Sequence, residues 1–336
     1  MDWSKGYTAE YYLSIIDPAT WRDIERVDIT GGSIKRDLES LRQSATVNCK
    51  DKPQGIENWV RVWLDTRQNG ATEHVALFTG LATTPKDSLN GIIRNNSLEC
   101  YSVLKPAFDI DLLRGWYATA GASGADVIKD LLSVTPAPVY AAENAPTLKS
   151  NIIADDSETR LTMIDKVLTA IDWRLRIDGD GSISIEPKPT EASATFDPLE
   201  FDVIEQEINI TSDLFNCPNV FLAIDEDLTA IARDDSPDSP LSTVNRGREV
   251  WARDTSCELA DNETIEQYAD RRLKEEQKVE KTASYNRRFI PNVTAGDLVR
   301  LHYPEQGLEG LFSVTSQNID LTFSARTNEE IAWKTN

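Results

Sequence analysis

Histidine is almost missing from this chain. Its 336 residues include two, His74 and His302, with most of the sequence between them. Imidazole-based hydrolysis needs a histidine beside a nucleophile or a second metal ligand, and neither an H-E-x-x-H pattern nor a closely spaced Cys–His pair is present. Cysteine is scarce as well. Cys49, Cys100, Cys217 and Cys257 stand far apart with no C-x-x-C pair, which excludes the common zinc and dithiol patterns. Four reduced, mostly buried thiols are expected; a Cys49–Cys100 disulfide is the alternative, disfavoured in a reducing compartment. No apolar run approaches the roughly 18–20 residues that cross a bilayer. The opening "MDWSKGYTAEYYLSIIDPATW" lacks the order of a signal peptide, so folding in a cytoplasm is expected. Positive charge is also deficient: 35 basic against 56 acidic residues give a net charge of −21, a surface that repels nucleic acid.

What is present is β-structure. At 336 residues, about two to three domains are expected. The first ~110 residues contain "YYLSIID", "WRDIERVDIT", "SATVNC", "NWVRVWLDT", "HVALFTGLATT" and "SLECYSVLKPAF", aromatic and β-branched runs separated by turn residues. In "NWVRVWLDT" Val60, Val62 and Leu64 share one face and Trp59, Arg61, Trp63 and Asp65 the other, as in a strand with neighbours on both sides. Asn-Gly in "RQNGA" and "DSLNG" predicts hairpin turns with positive φ. From about Phe108 the period changes. Val127, Ile128, Leu131 and Leu132 fall on one helical face, as do Leu161, Ile164, Leu168 and Ile171, with Asp155 and Glu158 as a capping box. The hairpin "WRLRIDGDGSISIEPKP" follows, with Trp173, Leu175 and Ile177 opposite Ile183 and Ile185. The remainder returns to strands, interrupted by an acidic loop and a helix starting near Asn262 and Glu263, whose stripe is Ile265, Tyr268, Ala269 and Leu273.

Each motif that hints at chemistry has a plainer explanation. Gly31-Gly32 in "TGGSIKR" fits neither phosphate-loop pattern and is expected to be a backbone bend. "GASGA" approaches a nucleophile elbow at Ser123, but no good strand precedes it and only His302 completes the order. An N-cap is the expected role. "DGDGS" places Asp178 and Asp180 as in a calcium loop, yet Arg176 and Pro187 then occupy the terminal ligand positions, so a hairpin turn is expected. The acidic stretch from Asp225 to Asp235 is expected to be a solvated loop. Carboxylate pairs are too numerous to single one out. No catalytic, cofactor-binding or metal-ligating residue is assigned.

Several segments together carry a resemblance. They are "DWSKGYTAEYYLSIIDPATWRDIERVDITGGSI", "ETRLTMIDKVLTAIDWRLRIDGDGSISIEPKP", "DLFNCPNVFLAI", "SPLSTVNRGREV", "ETIEQYADRRLKEE" and the closing "AGDLVRLHYP…GLFSVTSQNIDLTF". Over nearly the whole chain the sequence resembles bacteriophage tail and baseplate hub proteins, of the late-control D type and the N-terminal hub domain of tail-associated proteins. The resemblance implies a β-dominated α+β fold with two tail-tube-like β-barrels. The first spans residues 1–108 and an α/β domain 109–196. The second is split as 197–225 plus 284–336, with 226–283, an acidic loop and a long helix, inserted.

The resemblance also implies a role: a homotrimer joining a hexameric tail tube to the tail tip and lining the DNA channel. Partners implied are further copies of the chain, a tail tube or distal tail protein, a tape measure protein and a spike or fibre protein. DNA would pass without specific binding, and there would be no membrane anchor. The location implied is a virion assembled in a bacterial cytoplasm. The chain ends at "EEIAWKTN", directly after the second barrel, so wall digestion and receptor binding are expected on partner chains. The alternatives are a tail-associated cell-wall hydrolase and a carbohydrate-binding module using some of the eight tryptophans.

Overall fold

Asn69 and Gly70 both take positive φ, 50° and 85°, which is the backbone a two-residue hairpin loop needs. The turn joins two long strands and sets Asp65 opposite His74 and Leu64 opposite Val75. The computed structural model describes the chain except residues 40, 52, 54, 56, 85, 91–92, 213, 226–227, 256, 258–263, 278–280, 323–324 and 334–336. The Asn90–Gly91 turn and the expected helix start at Asn262–Glu263 therefore fall wholly or partly outside the described residues. Two compact units are present: residues 1–208 with 284–336, and residues 209–283.

The first unit opens with β1 (Thr8–Asp17), β2 (Arg22–Asp37), β3 (Gln43–Cys49), β4 (Asn58–Gln68), β5 (Ala71–Ala82), β6 (Lys86–Asn90) and β7 (Ile93–Ser102). Their hydrogen-bonded order is β1-β4-β5-β7-β3-β2, and β2 also pairs with β1, so the six strands close into a barrel. Closure removes the exposed edges that make open sheets prone to association. Period-two alternation supplies the interior: Leu13, Val47, Val60, Val62, Leu64 and Leu77 are all fully buried. Cys49 and Cys100 lie in this core, and all four cysteines are free thiols. Burial pushes the Cys49 thiol up to about 11 and the Cys100 thiol higher still. At pH 8 neither is expected to react with iodoacetamide in the native chain, and both are expected to label in denaturant, as peptide mass mapping would show.

Next come α1 (Lys105–Asp109), β8 (Tyr117–Ala118), α2 (Gly124–Leu131), β9 (Val139–Ala141), β10 (Ile152–Ile153), α3 (Arg160–Ile171), β11 (Trp173–Ile177) and β12 (Ile183–Pro187). The helical face of α3 is buried as its spacing predicts, at Leu161, Ile164, Leu168 and Ile171. Its cap differs from the expected one. Thr159 is the N-cap, accepting from the Thr162 amide, while Glu158 accepts the Asp155 amide at 2.8 Å one step earlier. β11 and β12 pair antiparallel, with β9 added in parallel.

A second set of six strands completes this unit. β13 (Ala194–Phe196) and β14 (Ile204–Ser212) precede the second unit. That unit holds β15 (Val220–Asp225), β16 (Leu228–Arg233), α4 (Thr243–Arg246), β17 (Trp251–Asp254) and α5 (Ile265–Glu276). The chain then returns with β18 (Lys281–Arg288), β19 (Leu298–Tyr303), β20 (Leu308–Asp320) and β21 (Arg326–Trp333). The strand order is β13-β19-β20-β21-β18-β14. The far half of β2 pairs with β20 from Ser33↔Asp320 to Asp37↔Ser316, so both strand sets form one continuous sheet. They share a core: Ile319, Leu321, Ala325 and Phe289 cluster with the first barrel's interior.

Two expected boundaries move. β13 lies within residues 109–196, yet it pairs with β19. β15, expected in the second barrel, pairs instead with β16 and β17. The cause is packing: Phe221 and Ala223 of β15 are covered by Ile265, Tyr268, Ala269 and Leu273 of α5. The expected acidic loop likewise contains β16, whose Ala230 and Ala232 complete that core. Its Glu226 and Asp227 lie outside the described residues. α5 starts at a capping box between Thr264 and Gln267.

Candidate functional site

The join between the two strand sets is where this fold concentrates buried charge. Register places Gln43 opposite Arg36, Arg36 opposite Gln317 and Gln317 opposite Glu329, a row crossing β3, β2, β20 and β21. Directly paired residues project from the same face. All four are buried, Glu329 completely. β18 adds Arg287 and Tyr285, each 1% exposed. Glu329 is the hub of this cluster. It accepts from Arg287 Nη2 at 2.5 Å, Tyr285 Oη at 2.6 Å and Gln317 Nε2 at 2.6 Å.

Electrostatics follow from this enclosure. Burial pulls the Arg36 guanidinium down to about 10, and the nearby Arg287 charge pushes the same way; Arg36 stays charged at neutral pH and donates to the Leu77 carbonyl at 2.6 Å. For Arg287 burial acts downward too, but Glu329 outweighs it and the net shift is upward. Tyr285 is driven well above its ordinary range by burial and by Glu329, so it remains a phenol donor. A second buried carboxylate, Asp297, lies 2.9 Å from Arg174, which also grips Glu186. The Arg287–Glu329 pair ties β18 to β21 and the Arg174–Asp297 pair ties β11 to the segment before β19, so breaking either would leave a charge buried without a partner.

The "DGDGS" turn is part of the same construction. Gly179 and Asp180 offer their carbonyls to the first barrel. Thr79 Oγ1 donates to Gly179 at 2.8 Å, while Arg61 Nη2 and Trp21 Nε1 donate to Asp180 at 2.9 and 3.0 Å. A Cβ on Gly179 would lie 1.9 Å from the Ala76 carbonyl oxygen. The two carboxylates are occupied locally, Asp178 by Arg176 and Asp180 by Ser182. This docking explains why the outer face of β4 carries Trp59 and Arg61. Trp59 packs against the α/β core, and Arg61 is held by Asp23 and Thr79 beneath the turn.

The other sequence candidates stay separate. Ser123 caps α2, accepting from the Asp126 amide. His302 faces Glu309 at 3.4 Å on the neighbouring strand. Gly31 and Gly32 lie within β2 at a bulge, where the strand changes from pairing β1 to pairing β20. Sequence reasoning missed the Glu329 cluster. It also missed a contact on the first barrel, where Asp65 binds His74 Nδ1 and Trp63 stacks on the imidazole at 3.9 Å. The Asn69–Gly70 turn was the available signal, because counting back equally from it brings 65 and 74 together.

Closed barrel, second six-stranded set, α/β layer between them in sequence: this combination is found in known structures. The chain aligns with a tail protein from Neisseria meningitidis MC58 at TM-score 0.65 and 16% identity, covering 98% of this chain and 97% of that one. It aligns with the 43 kDa tail protein of prophage MuSo2 from Shewanella oneidensis at TM-score 0.67 and 13% identity, covering 98% of each. This chain has the phage tail-protein fold. The same fold extends to the E. coli c3393 protein, a component of the type VI secretion system described as similar to T4 tail proteins gp27 and gp5. There the TM-score is 0.50 at 10% identity, covering 92% of this chain and 74% of that one. No family model and no curated protein matches by sequence. Within the tail-protein fold the buried join acts as a structural fastening: it holds two β units of similar size at one fixed offset.

Proposed function

We propose that this chain is a structural hub of a phage tail or baseplate. Three copies surround a channel, and each contributes two tube-like barrels, one from residues 1–108 and one built around 284–336. The ring then offers six similar faces to a hexameric tube and threefold symmetry to a spike or fibre. The α/β region and residues 209–283 are decorations of that frame, and the protein works without chemistry of its own. The observation that carries this reading is the β2–β20 pairing, which joins two six-stranded β units in one polypeptide with a shared core. The tail-protein fold supports it.

The charge supports the channel role. A bore lined by part of the excess of acidic residues gives passing DNA no counterion-release gain and no adhesive contact. Tail tube, tape measure and spike or fibre proteins are the partners this geometry calls for. Light scattering on the purified chain at micromolar concentration tests the assembly: a mass three times the 37.6 kDa of one chain is expected. A monomer at every concentration would contradict the reading.

A further inference from the structure

We infer that the cavity between the N-terminal segment and the ends of β14, β18 and β21 is an oxyanion-binding site. It encloses about 450 Å³ and is lined by Lys5, Tyr7, Arg287, Arg288 and Arg326, with Asp202 and Glu205 as its two acids. Four bases against two acids reverses the bias of a chain that has 35 bases and 56 acids. Three of the bases have carboxylate partners. Lys5 pairs with Asp2, Arg326 with Glu205 and Arg287 with Glu329. Arg288 does not: it donates to the Ser4 carbonyl at 2.7 Å and has no ion pair among the described residues.

Two residues of the lining each carry a buried donor with no acceptor among the described residues. The donors are the Tyr7 hydroxyl and Nε of Arg287, the latter on a side chain 1% exposed. A buried donor left without a partner is costly, and a guanidinium has nothing to offer except donors. Burial raises Tyr7 to about 12, so its hydroxyl keeps its proton and remains a donor. One uncompensated guanidinium beside two unsatisfied donors matches the chemistry of a carboxylate or phosphate, whose oxygens accept several charge-assisted bonds at once. A cation would find only the two acids, one of them already bound to Arg326.

Two sources can supply that group, free phosphate or a carboxylate from a neighbouring protein chain, and titration separates them. The full-length protein is titrated with inorganic phosphate and, separately, with acetate, at fixed ionic strength in sodium chloride. Binding heat and the unfolding midpoint are followed. A saturable response to phosphate is expected. Acetate binding within about tenfold of phosphate marks a carboxylate site, and a response to phosphate alone marks a phosphate site. Arg288→Gln is expected to weaken binding about tenfold. Tyr7→Phe is expected to weaken it about fivefold while leaving the ligand-free midpoint equal to or above that of the parent, because it removes an unsatisfied hydroxyl. Arg300→Gln, an exposed arginine outside the cavity, serves as the charge control and should bind as the parent does. No response to either anion, or undiminished binding by both Tyr7→Phe and Arg288→Gln, would overturn the assignment.

Discussion

Replacing Glu329 by alanine is expected to destabilise the first unit by about 3–5 kcal/mol, measured as a lowered urea midpoint. The side chain is completely buried and accepts from Arg287, Tyr285 and Gln317. Its removal leaves a guanidinium buried without a counter-charge, together with two polar groups that water does not reach. The larger part of the loss comes from the orphaned Arg287 rather than from the bond itself. The double change Glu329→Met with Arg287→Met should therefore recover much of the loss, because apolar groups of similar size leave no charge uncompensated. If the double variant were no more stable than Glu329→Ala, the charge-orphan explanation would be wrong and packing would have to replace it.

Gly32→Ala is the second large expected effect. A Cβ there would lie 2.1 Å from the Thr46 carbonyl oxygen, and the residue has φ +147°. Both the clash with the main chain of β3 and the strained backbone oppose a side chain, together costing about 2–5 kcal/mol. Gly31 separates the two contributions. Its φ is +152°, but the nearest atom to a Cβ, the Leu321 oxygen, is 3.8 Å away. Gly31→Ala should cost only the backbone term, about 1–3 kcal/mol. Equal losses at the two positions would show that close approach of β2 to β3 does not govern this bulge.

The glycines also show how far the sequence was readable. The pattern mismatch with phosphate loops left Gly31-Gly32 as a bend between strands, whereas both lie at a bulge inside one continuous strand, β2. The mismatch gave no hint that this 16-residue strand serves two sets of partners. Local periodicity was enough for the buried face of α3, for the β11–β12 hairpin and for the stripe of α5, because each pattern is written within a dozen or so residues. The Asn69–Gly70 turn was legible for the same reason.

What stayed hidden was non-local. Arg36 and Gln317 become neighbours only when strands far apart in the chain pair, and nothing in "SIKRDL" or "TSQNID" marks those side chains as buried. A charged residue at an alternating position reads as an outward-facing one unless its partner is known. β15 was misplaced for a related reason: "NVFLAID" is a good strand anywhere, and its location was decided by the helix that covers it. The tail-hub resemblance was carried by short phrases and by the order of elements along the chain, neither of which fixes the strand partners of β13 or β15.

The proposed hub needs one chain to carry two tube-like units so that three chains imitate sixfold symmetry. Electron-microscope class averages of the purified assembly, viewed down its symmetry axis, test this most directly. Six similar lobes around an open centre, contributed by three copies, are predicted. A particle with three lobes, or one without a central opening, would contradict it.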